Sequence, residues 1–399
     1  MLHSVVCGKF PNTTAVCSTT SSSNVYNLMN KSASNRIKVG YIFPNWTLGG
    51  VSRGVITLAQ YQPLNIEFFG IAVNSLDFYH ANGYIKSGIP IWYGGESDDT
   101  CDYPGVNFVD SFKDACQHVI DNSDVIIFWG FTVKLPEFDE LNWKNKPVVI
   151  SSHGSCDYTK LLIDTIGKYA THYRAVSKAA GKFWDEKKNV YITYNGVDLN
   201  RILPLKDTQQ FRSDLNINDG CTVAAYVGRL SGDKNPIALA QAIDKLDENY
   251  VALYVGSGNG QDLLHDKVKL ILGDRAIFIG DVEHVGDAYA AADCIVMTGK
   301  SEGHCQVLNE AWAAGVPVVS TRVGAIPELE EKYGKLVEPI NIDFTSDELS
   351  AAISSVTNNF EIVDRAKNMM LSNFTIAHTA IDFENFVKDV IKSHKLELM

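Results

Sequence analysis

The hydrophobic pattern of the first half of the chain alternates short apolar runs with amphipathic stretches of helical length, beginning at Lys38. Apolar runs without strict polar alternation are typical of strands buried on both faces of a parallel sheet. The runs are KVGYIF, IEFFGIAV, DVIIFWG, PVVISSHG and HYRAVS. The segment ITYNGVDLNRILP then predicts a last strand, a turn and a linker, so the first half predicts one α/β domain.

The same pattern begins again at Cys221 with the runs CTVAAYVGRL, YVALYVG, AIFIGDV, DCIVMTG and VPVVSTRVG. The stretch from Thr375 to Leu396 predicts one long helix. The start of the chain is rich in Ser, Thr and Asn and predicts a poorly ordered extension. We therefore predict an α/β protein whose parts are an extension over 1–35, domains over 36–200 and 201–374, and a final helix within 375–399.

Composition and charge narrow the function classes. The chain has 399 residues, 45% hydrophobic and 21% charged, which suits two globular domains. Its net charge of −12 argues against binding of nucleic acids or anionic membranes, because both need clustered Lys and Arg. A local pair of cations still suffices for one small anionic ligand. The eight cysteines form no C-x2-C pair, so we expect free thiols and a cytoplasmic protein without a secretory signal or membrane span.

Two cations follow a buried strand in YVGRLSGDKNP. Arg229 can bind two phosphate oxygens through its forked guanidinium, and Lys234 adds a compact positive charge. Either residue alone is more often a solvated surface charge. Together, after a strand that ends at Val227 in an acidic protein, they favour a phosphate site.

Two glycine-rich loops also follow predicted strands. In GGVSR, Gly50 could bring the backbone close to a ligand, although a plain turn between strand and helix fits equally well. In YVGSGNGQ, Gly256 and Gly258 begin a dinucleotide pattern whose third glycine is replaced by Gln261. We interpret this second loop as a close approach to a ligand, with NAD binding as the alternative.

The stretch SEGHCQVLNEAWAAGVPVV predicts a helix from about Cys305 to Ala314, ended by the glycine and proline that follow. The start of a helix attracts phosphate groups. Glu302 lies just before that start and could lie beside a sugar ring, or could cap the helix. Glu310 could bind the hydroxyls of a ribose, or could be an ordinary exposed helix residue.

His153 ends the apolar run of VVISSHGS. A histidine at a strand end is more often structural. At an edge where ligands bind, it is also a candidate for contacting a transferred group or for handling a proton.

The segment from Asn195 to about Leu336 resembles the nucleotide-sugar-dependent glycosyltransferases of family 4. The matching pieces keep that family's order and approximate spacing: NGVDLNRILP, VGRLSGDKNP, GSGNG, IGDVEHVGDAYAAADCIV, SEGHCQVLNEAWAAGVPVV and VGAIPEL. The resemblance implies a GT-B fold, in which two Rossmann-like doubly wound domains face each other across a cleft. It also implies that 36–200 is the acceptor side, that 201–374 binds the nucleotide sugar, and that 375–399 crosses back to the first domain.

The resemblance implies roles for single residues. Arg229 and Lys234 would hold the donor diphosphate, Glu310 its ribose, and Glu302 and His153 the transferred sugar, so that Glu302, His153, Arg229 and Lys234 are the predicted catalytic residues. The remaining predicted donor contacts are Gly50, Gly256, Gly258, Val282 (whose backbone would read the base), His304, Cys305, Gln306 and Val307. The family usually has an aromatic and then a small residue at the positions of His304 and Cys305, which leaves the donor sugar undefined.

The resemblance further implies transfer with retention of the anomeric configuration. No D-x-D motif occurs in the chain, and two cations could neutralise the diphosphate, so we expect no metal and no cofactor besides the sugar donor. The acceptor would contain carbohydrate: a glycan, a glycolipid or a protein-linked sugar. The resemblance admits membrane association, but no basic amphipathic helix indicates it.

Two other functions fit the same fold. A sugar-nucleotide epimerase would change the donor itself and need no acceptor. A non-catalytic relative would bind the nucleotide sugar without transfer, although the presence of Glu302, Glu310, Arg229, Lys234 and His153 argues against a dead site.

Overall fold

The computed structural model describes most of the chain from residue 36 onward. The described ranges are 36–46, 50–61, 65–76, 88–94, 105–129, 136–154, 157–184, 187–258, 260–282, 284–356 and 360–399. The extension predicted over 1–35 lies outside them. Residues Ile37–Met399 form one compact body. It contains two separate parallel sheets, and each sheet with its helices is called a unit.

The first sheet consists, in the described residues, of eight parallel strands. They are β1 (Ile37–Trp46), β2 (Ile66–Leu76), β3 (Ile91–Gly94), β4 (Val106–Val109), β5 (Val125–Phe128), β6 (Val148–Ser152), β7 (His172–Ala175) and β8 (Val190–Ile192). Their spatial order is β4-β3-β2-β1-β5-β6-β7-β8. Strands β5 and β6 are buried along their whole length, as their unbroken apolar runs predict.

Two strands of this sheet were not predicted. Strands β3 and β4 have four residues each and are mostly half-buried at one edge of the sheet. Their sequences, IWYG and VNFV, are too short and too mixed to differ from loop. The sheet is therefore wider than the pattern of apolar runs indicated.

The second sheet has, in the described part of the chain, six parallel strands. They are β9 (Thr222–Val227), β10 (Tyr250–Val255), β11 (Ala276–Gly280), β12 (Cys294–Met297), β13 (Val318–Thr321) and β14 (Glu338–Ile340). The spatial order β11-β10-β9-β12-β13-β14 reverses direction between β9 and β12, which defines a doubly wound sheet. The prediction of two Rossmann-like α/β units is confirmed, and only the three-residue β14 was not predicted.

Helices cover both faces of each sheet. In the first unit they are α1 (Gly50–Tyr61), α2 (Phe112–Asn122), α3 (Asp157–Ile166) and α4 (Lys178–Gly181), with 3-10 turns at Pro136–Glu140, Gly167–Tyr169 and Lys182–Trp184. Helix α2 illustrates how the local sequence starts a helix and sets its buried face. The Ser111 side chain accepts a hydrogen bond from the Asp114 N–H at its start, and Ala115, Cys116, Val119 and Ile120 form its buried face.

The remaining helices belong to the second half of the chain. They are α5 (Leu199–Ile202), α6 (Thr208–Asp214), α7 (Ile237–Ile243), α8 (Gln261–Leu272), α9 (Gly286–Ala291), α10 (Gln306–Ala314), α11 (Ile326–Tyr333), α12 (Ser346–Val356), α13 (Phe360–Asn373) and α14 (Ile376–Glu397), with 3-10 turns at Gly232–Lys234 and Gly273–Arg275. The predicted helix before Gly315 is confirmed as α10. Gly315 ends it in the left-handed conformation, with φ of +79°.

The chain crosses between the two sheets twice, and the two crossings pair with each other. The Val197 N–H donates to the Phe374 carbonyl and the Ile376 N–H donates to the Val197 carbonyl, both at 2.9 Å. Helix α14 then packs on the first sheet, where Phe383 and Val387 are fully buried beside Tyr41. The predicted boundary between residues 200 and 201 falls inside the short helix α5.

Gly196 allows the two crossing segments to touch, and replacing it by alanine is expected to destabilise the fold. The added Cβ would lie 2.3 Å from Thr379 Oγ1 and 2.7 Å from the Thr375 carbonyl oxygen. The crossing segments would have to move apart, so we expect the free energy of unfolding in urea to fall by ~1–3 kcal/mol.

The matched control is Gly54→Ala within α1, because nothing lies within 4 Å of the Cβ that it would add. Alanine favours a helix, so this substitution should raise the free energy of unfolding by ~0.5–1 kcal/mol. If Gly196→Ala also stabilised the protein, the close crossing described here would be wrong.

Candidate active site

Arg229, Lys234 and Glu302 lie in the loops that follow the carboxyl ends of β9 and β12, at the switch point where the strand order reverses. Ligands of doubly wound sheets bind at this point. A loop follows each strand, and Thr298 connects the two loops. Its hydroxyl lies 3.1 Å from the Lys234 carbonyl oxygen and 2.8 Å from that of Asn235, so the loop with Lys234 is held beside the loop that leads to Glu302.

Lys234 and Glu302 form a half-buried ion pair. The distance from Lys234 Nζ to Glu302 Oε1 is 2.5 Å, and the two side chains are 25% and 17% exposed. Burial by itself would lower the pKa of Lys234, but the nearby negative charges, above all Glu302, raise it above its ordinary value. Lys234 therefore keeps its positive charge at the switch point across the physiological pH range.

Arg229 lies in the same loop but its side chain is 64% exposed. The structure pairs its guanidinium with Asp233 at 3.3 Å rather than with Glu302. An exposed pair of this kind contributes little stability. A phosphate group could therefore replace Asp233 as the partner of Arg229 at small cost.

Glu310 is buried on α10, so the alternative of an ordinary exposed helix residue is wrong. It is only 2% exposed. Its Oε1 accepts a hydrogen bond from Arg201 Nε at 3.0 Å, and its Oε2 accepts one from the Tyr289 hydroxyl at 2.9 Å. Burial and the Glu310 charge raise the pKa of Tyr289 well above its ordinary value, so that hydroxyl remains a donor.

Arg201 and Tyr289 were not among the predicted site residues. Both lie within motifs that the sequence analysis singled out, NGVDLNRILP and IGDVEHVGDAYAAADCIV. Their spacing from Glu310 carries no signal of contact, because the three residues come from α5, α9 and α10. The need of a buried glutamate for a cation could have identified Arg201, but the burial of Glu310 was not predicted.

The first turn of α10 faces the first unit. A Cβ on Gly50 would lie 3.9 Å from Gln306 Cβ, and Gln306 Nε2 donates to the Gly196 carbonyl at 3.2 Å. Val307 is half-buried near Gly228. Burial and then the Glu302 charge raise the pKa of Cys305 to about 12, so its thiol is protonated and is not a nucleophile.

Gly256 and Gly258 are explained by backbone packing between two loops. Gly256 has a φ of +128°, and a Cβ there would lie 2.1 Å from the Gly228 carbonyl oxygen. A Cβ on Gly258 would lie 2.5 Å from the Leu230 carbonyl oxygen. These glycines therefore pack the loop after β10 against the loop with Arg229. Val282 follows β11, is half-buried and packs against the hydrophobic core of the second unit.

His304 is buried against the linker between the sheets. Its Nδ1 accepts from the Asn195 N–H at 2.9 Å, and its carbonyl oxygen accepts from Asn195 Nδ2 at 2.9 Å. Burial lowers the pKa of His304 to about 3, so the ring is neutral. The observed role of this side chain is to fix the linker, and its contact with a donor stays a prediction.

His153 contacts the second unit through its backbone. A Cβ on Gly303 would lie 2.2 Å from the His153 carbonyl oxygen, so the SSHG and SEGH segments are in direct contact. The His153 ring lies 2.9 Å from Ser151 Oγ and 3.4 Å from Arg174 Nη1. Burial, and then the Arg174 charge, lower its pKa well below the ordinary value. A neutral ring that is hard to protonate favours hydrogen bonding over proton transfer.

No helix in the described ranges has the length and apolar character that crossing a membrane requires. No group of three or more His, Cys, Asp and Glu side chains in the described part of the chain is placed to hold a metal ion.

Part of the chain is similar to known proteins. Residues 207–369 match the family model of glycosyl transferases group 1. Sulfoquinovosyl transferase SQD2 of Arabidopsis thaliana is 29% identical over 222 residues, 53% of this chain and 41% of the relative. The N-acetyl-alpha-D-glucosaminyl L-malate synthase of Bacillus anthracis is 24% identical over 213 residues, 52% of this chain and 56% of the relative. The chain thus spans about half the length of the curated relatives it matches.

The whole fold also has a solved counterpart. Anabaena HepE, crystallised in complex with UDP-glucose, superimposes with a TM-score of 0.73 at 17% sequence identity. The match covers 89% of this chain and 100% of HepE. This likeness shows the fold, which is the GT-B arrangement of two Rossmann-like domains.

Removing Arg201 should leave Glu310 as a buried charge without its cation. We expect Arg201→Met to lower the free energy of unfolding by ~3–5 kcal/mol, as measured in urea. The double variant Arg201→Met with Glu310→Met should lose less than the single variant, because it buries no unpaired charge.

The control for this pair is Lys206→Met, which breaks an exposed ion pair with Asp214 on α6. Its cost should be ~0–1 kcal/mol. Additive losses from the two single variants Arg201→Met and Glu310→Met would contradict the coupling that the structure describes.

Proposed function

We propose that this chain is a glycosyltransferase that moves a sugar from a nucleoside-diphosphate sugar to an acceptor. The observation that supports it best is the convergence of Lys234, Glu302 and the start of α10 at the switch point of the second sheet. That site lies within the residues that match glycosyl transferases group 1. A cation and a helix start are suited to a diphosphate.

Each part of the donor has a candidate partner in this proposal. Lys234, Arg229 and the backbone of the first turn of α10 bind the diphosphate. The donor ribose binds at Glu310, whose charge and orientation are set by Arg201 and Tyr289. Glu302 contacts the transferred sugar while it holds Lys234 in place.

The proposed chemistry is transfer with retention, as in family 4. The bond between the anomeric carbon and the diphosphate breaks, and the sugar develops oxocarbenium character. Negative charge then grows on the leaving phosphate, where Lys234 and Arg229 stabilise it. The acceptor oxygen forms the new bond to the anomeric carbon on the face that the diphosphate leaves, and the leaving phosphate accepts the proton of that hydroxyl. The neutral His153 contributes a hydrogen bond to the sugar rather than a proton.

The donor that we would test first is a uridine diphosphate hexose, because the solved counterpart HepE was crystallised with UDP-glucose. The acceptor would contain carbohydrate and enter from the side of the first sheet. We place the protein in the cytoplasm, where its free thiols, among them Cys116 and Cys294 in the described residues, would stay reduced.

The proposal includes no metal and no cofactor. The motivation is that the cations of one loop, Arg229 and Lys234, can neutralise a diphosphate. Loss of donor turnover in EDTA that manganese restores would contradict this part of the proposal.

Lys234→Ala should abolish most of the donor chemistry. We expect the release of nucleoside diphosphate from the preferred sugar donor, assayed with EDTA present, to fall at least ~100-fold, because a preorganised charge-stabilising group is lost. The control is Lys300→Ala, which removes a 66% exposed lysine near the same loop. Unchanged release in Lys234→Ala, or an equal fall in Lys300→Ala, would overturn the site assignment.

A further inference from the structure

Arg174 is a buried cation that the donor site does not use. It lies on β7 and is 7% exposed. Its Nη1 donates to Ser151 Oγ at 2.9 Å and its Nε donates to Thr193 Oγ1 at 2.5 Å. Both partners are neutral hydroxyls. The Phe383 ring lies 6.0 Å from the guanidinium carbon, so the surroundings of the charge are apolar or neutral.

The charge of Arg174 has no counterion among the described residues. It forms no ion pair with a carboxylate there, and the nearest titratable side chains are neutral. Burial raises the pKa of the Tyr41 hydroxyl. Burial, and then the Arg174 charge, lower the pKa of the His153 ring, so both side chains are neutral. Burying an unpaired charge is costly, and an arginine cannot avoid the cost by losing its proton. An anionic ligand would remove this cost by pairing with the guanidinium.

Arg174 lines an open cleft between the two sheets. The cleft is open to solvent. Its walls come from α1, β7 and α14 on one side and from α10 on the other. The charged and titratable side chains among the described residues of its lining are Tyr41, Arg53, His153, Arg174, Asp198, Arg201 and Glu310.

The lining of the cleft has an excess of positive charge. It contains three arginines and two carboxylates, although the whole chain has a net charge of −12. Arg201 is paired with Glu310, and the Asp198 side chain accepts from the Asn200 N–H at the start of α5. Neither carboxylate forms an ion pair with Arg174.

We propose that Arg174 binds an anionic group of a substrate, a phosphate, sulfonate or carboxylate, within this cleft. The group belongs to the acceptor or to the transferred sugar, because the cleft lies between the first sheet and the ribose-binding Glu310. That the ligand is a substrate rests on the transferase function proposed above. The anion site itself does not.

The test uses the full chain and inorganic phosphate as the probe, at constant ionic strength, by isothermal titration calorimetry. Five proteins are compared: wild type, Arg174→Met, Arg174→Lys, Lys234→Met, and the double variant of Arg174→Met with Lys234→Met. We expect Lys234→Met to bind phosphate and the double variant to bind it about tenfold more weakly or not at all, since a hydrogen bond to a charged group is lost. Arg174→Lys, which keeps the charge, should lie in between.

A merely structural role for Arg174 predicts a different result. Without ligand, Arg174→Met should lower the unfolding temperature less than Arg201→Met does, because it loses hydrogen bonds to Ser151 and Thr193 but breaks no ion pair. A fall at least as large as that of Arg201→Met, with phosphate binding unaltered, would overturn the proposal. So would the absence of phosphate binding in both wild type and Lys234→Met.

Nucleotide sugars distinguish the two sources of the anion. If the transferred sugar carries it, wild type should prefer UDP-glucuronate to UDP-glucose and Arg174→Met should lose that preference. If the acceptor carries it, phosphate should bind alongside saturating UDP-glucose. Phosphate binding through Arg174 in a protein that binds no nucleotide would overturn the proposed transferase function and leave the anion site standing.

Discussion

The close contact of backbone with backbone between the two sheets is the constraint on which the site depends. Gly303 lies directly on the His153 carbonyl, and Gly196 lies on the segment at Thr375. A side chain at either glycine would separate the two units. Because these contacts are tight, the carboxyl ends of both sheets open into one cleft, and residues more than a hundred positions apart can act on one ligand.

The two glutamates of the candidate site, Glu302 and Glu310, are each paired with a cation. Glu310 is paired with Arg201, and Glu302 is paired with Lys234. Such buried or half-buried pairs are weak sources of stability, because desolvation offsets their attraction. Each pair fixes the orientation of a charged group, as the proposed donor site requires. Arg174, which lacks such a partner among the described residues, is the group that a ligand would complete.

Much of this architecture was predictable from sequence, for physical reasons. Unbroken apolar runs such as VIIF and VVISS report strands buried on both faces, and the motif around Glu302 and Glu310 located the second site loop. The short strands β3, β4 and β14 were missed because three or four mixed residues have no periodicity to detect. The partners of Glu310 were missed because α5, α9 and α10 meet only in the fold.

Some residues have a role that their motif did not suggest. Gly256 and Gly258 pack one loop on another, which a glycine pattern alone cannot distinguish from contact with a ligand. His304 fixes the linker through Asn195, although its motif placed it near the donor sugar. Arg174 carried no signal at all, because a single arginine within a strand reveals its burial only when the neighbouring helix α14 is in place.

The most direct test of the donor site is a thermal-shift panel of UDP, GDP, ADP, TDP, CMP and NAD with the wild-type chain. At 100 times its dissociation constant, a ligand adds ~2.7 kcal/mol of stability. A working donor site should give a clear shift with one nucleoside diphosphate. A shift with NAD alone, or with none of the six, would show that Arg229, Lys234 and Glu310 do not form a working donor site.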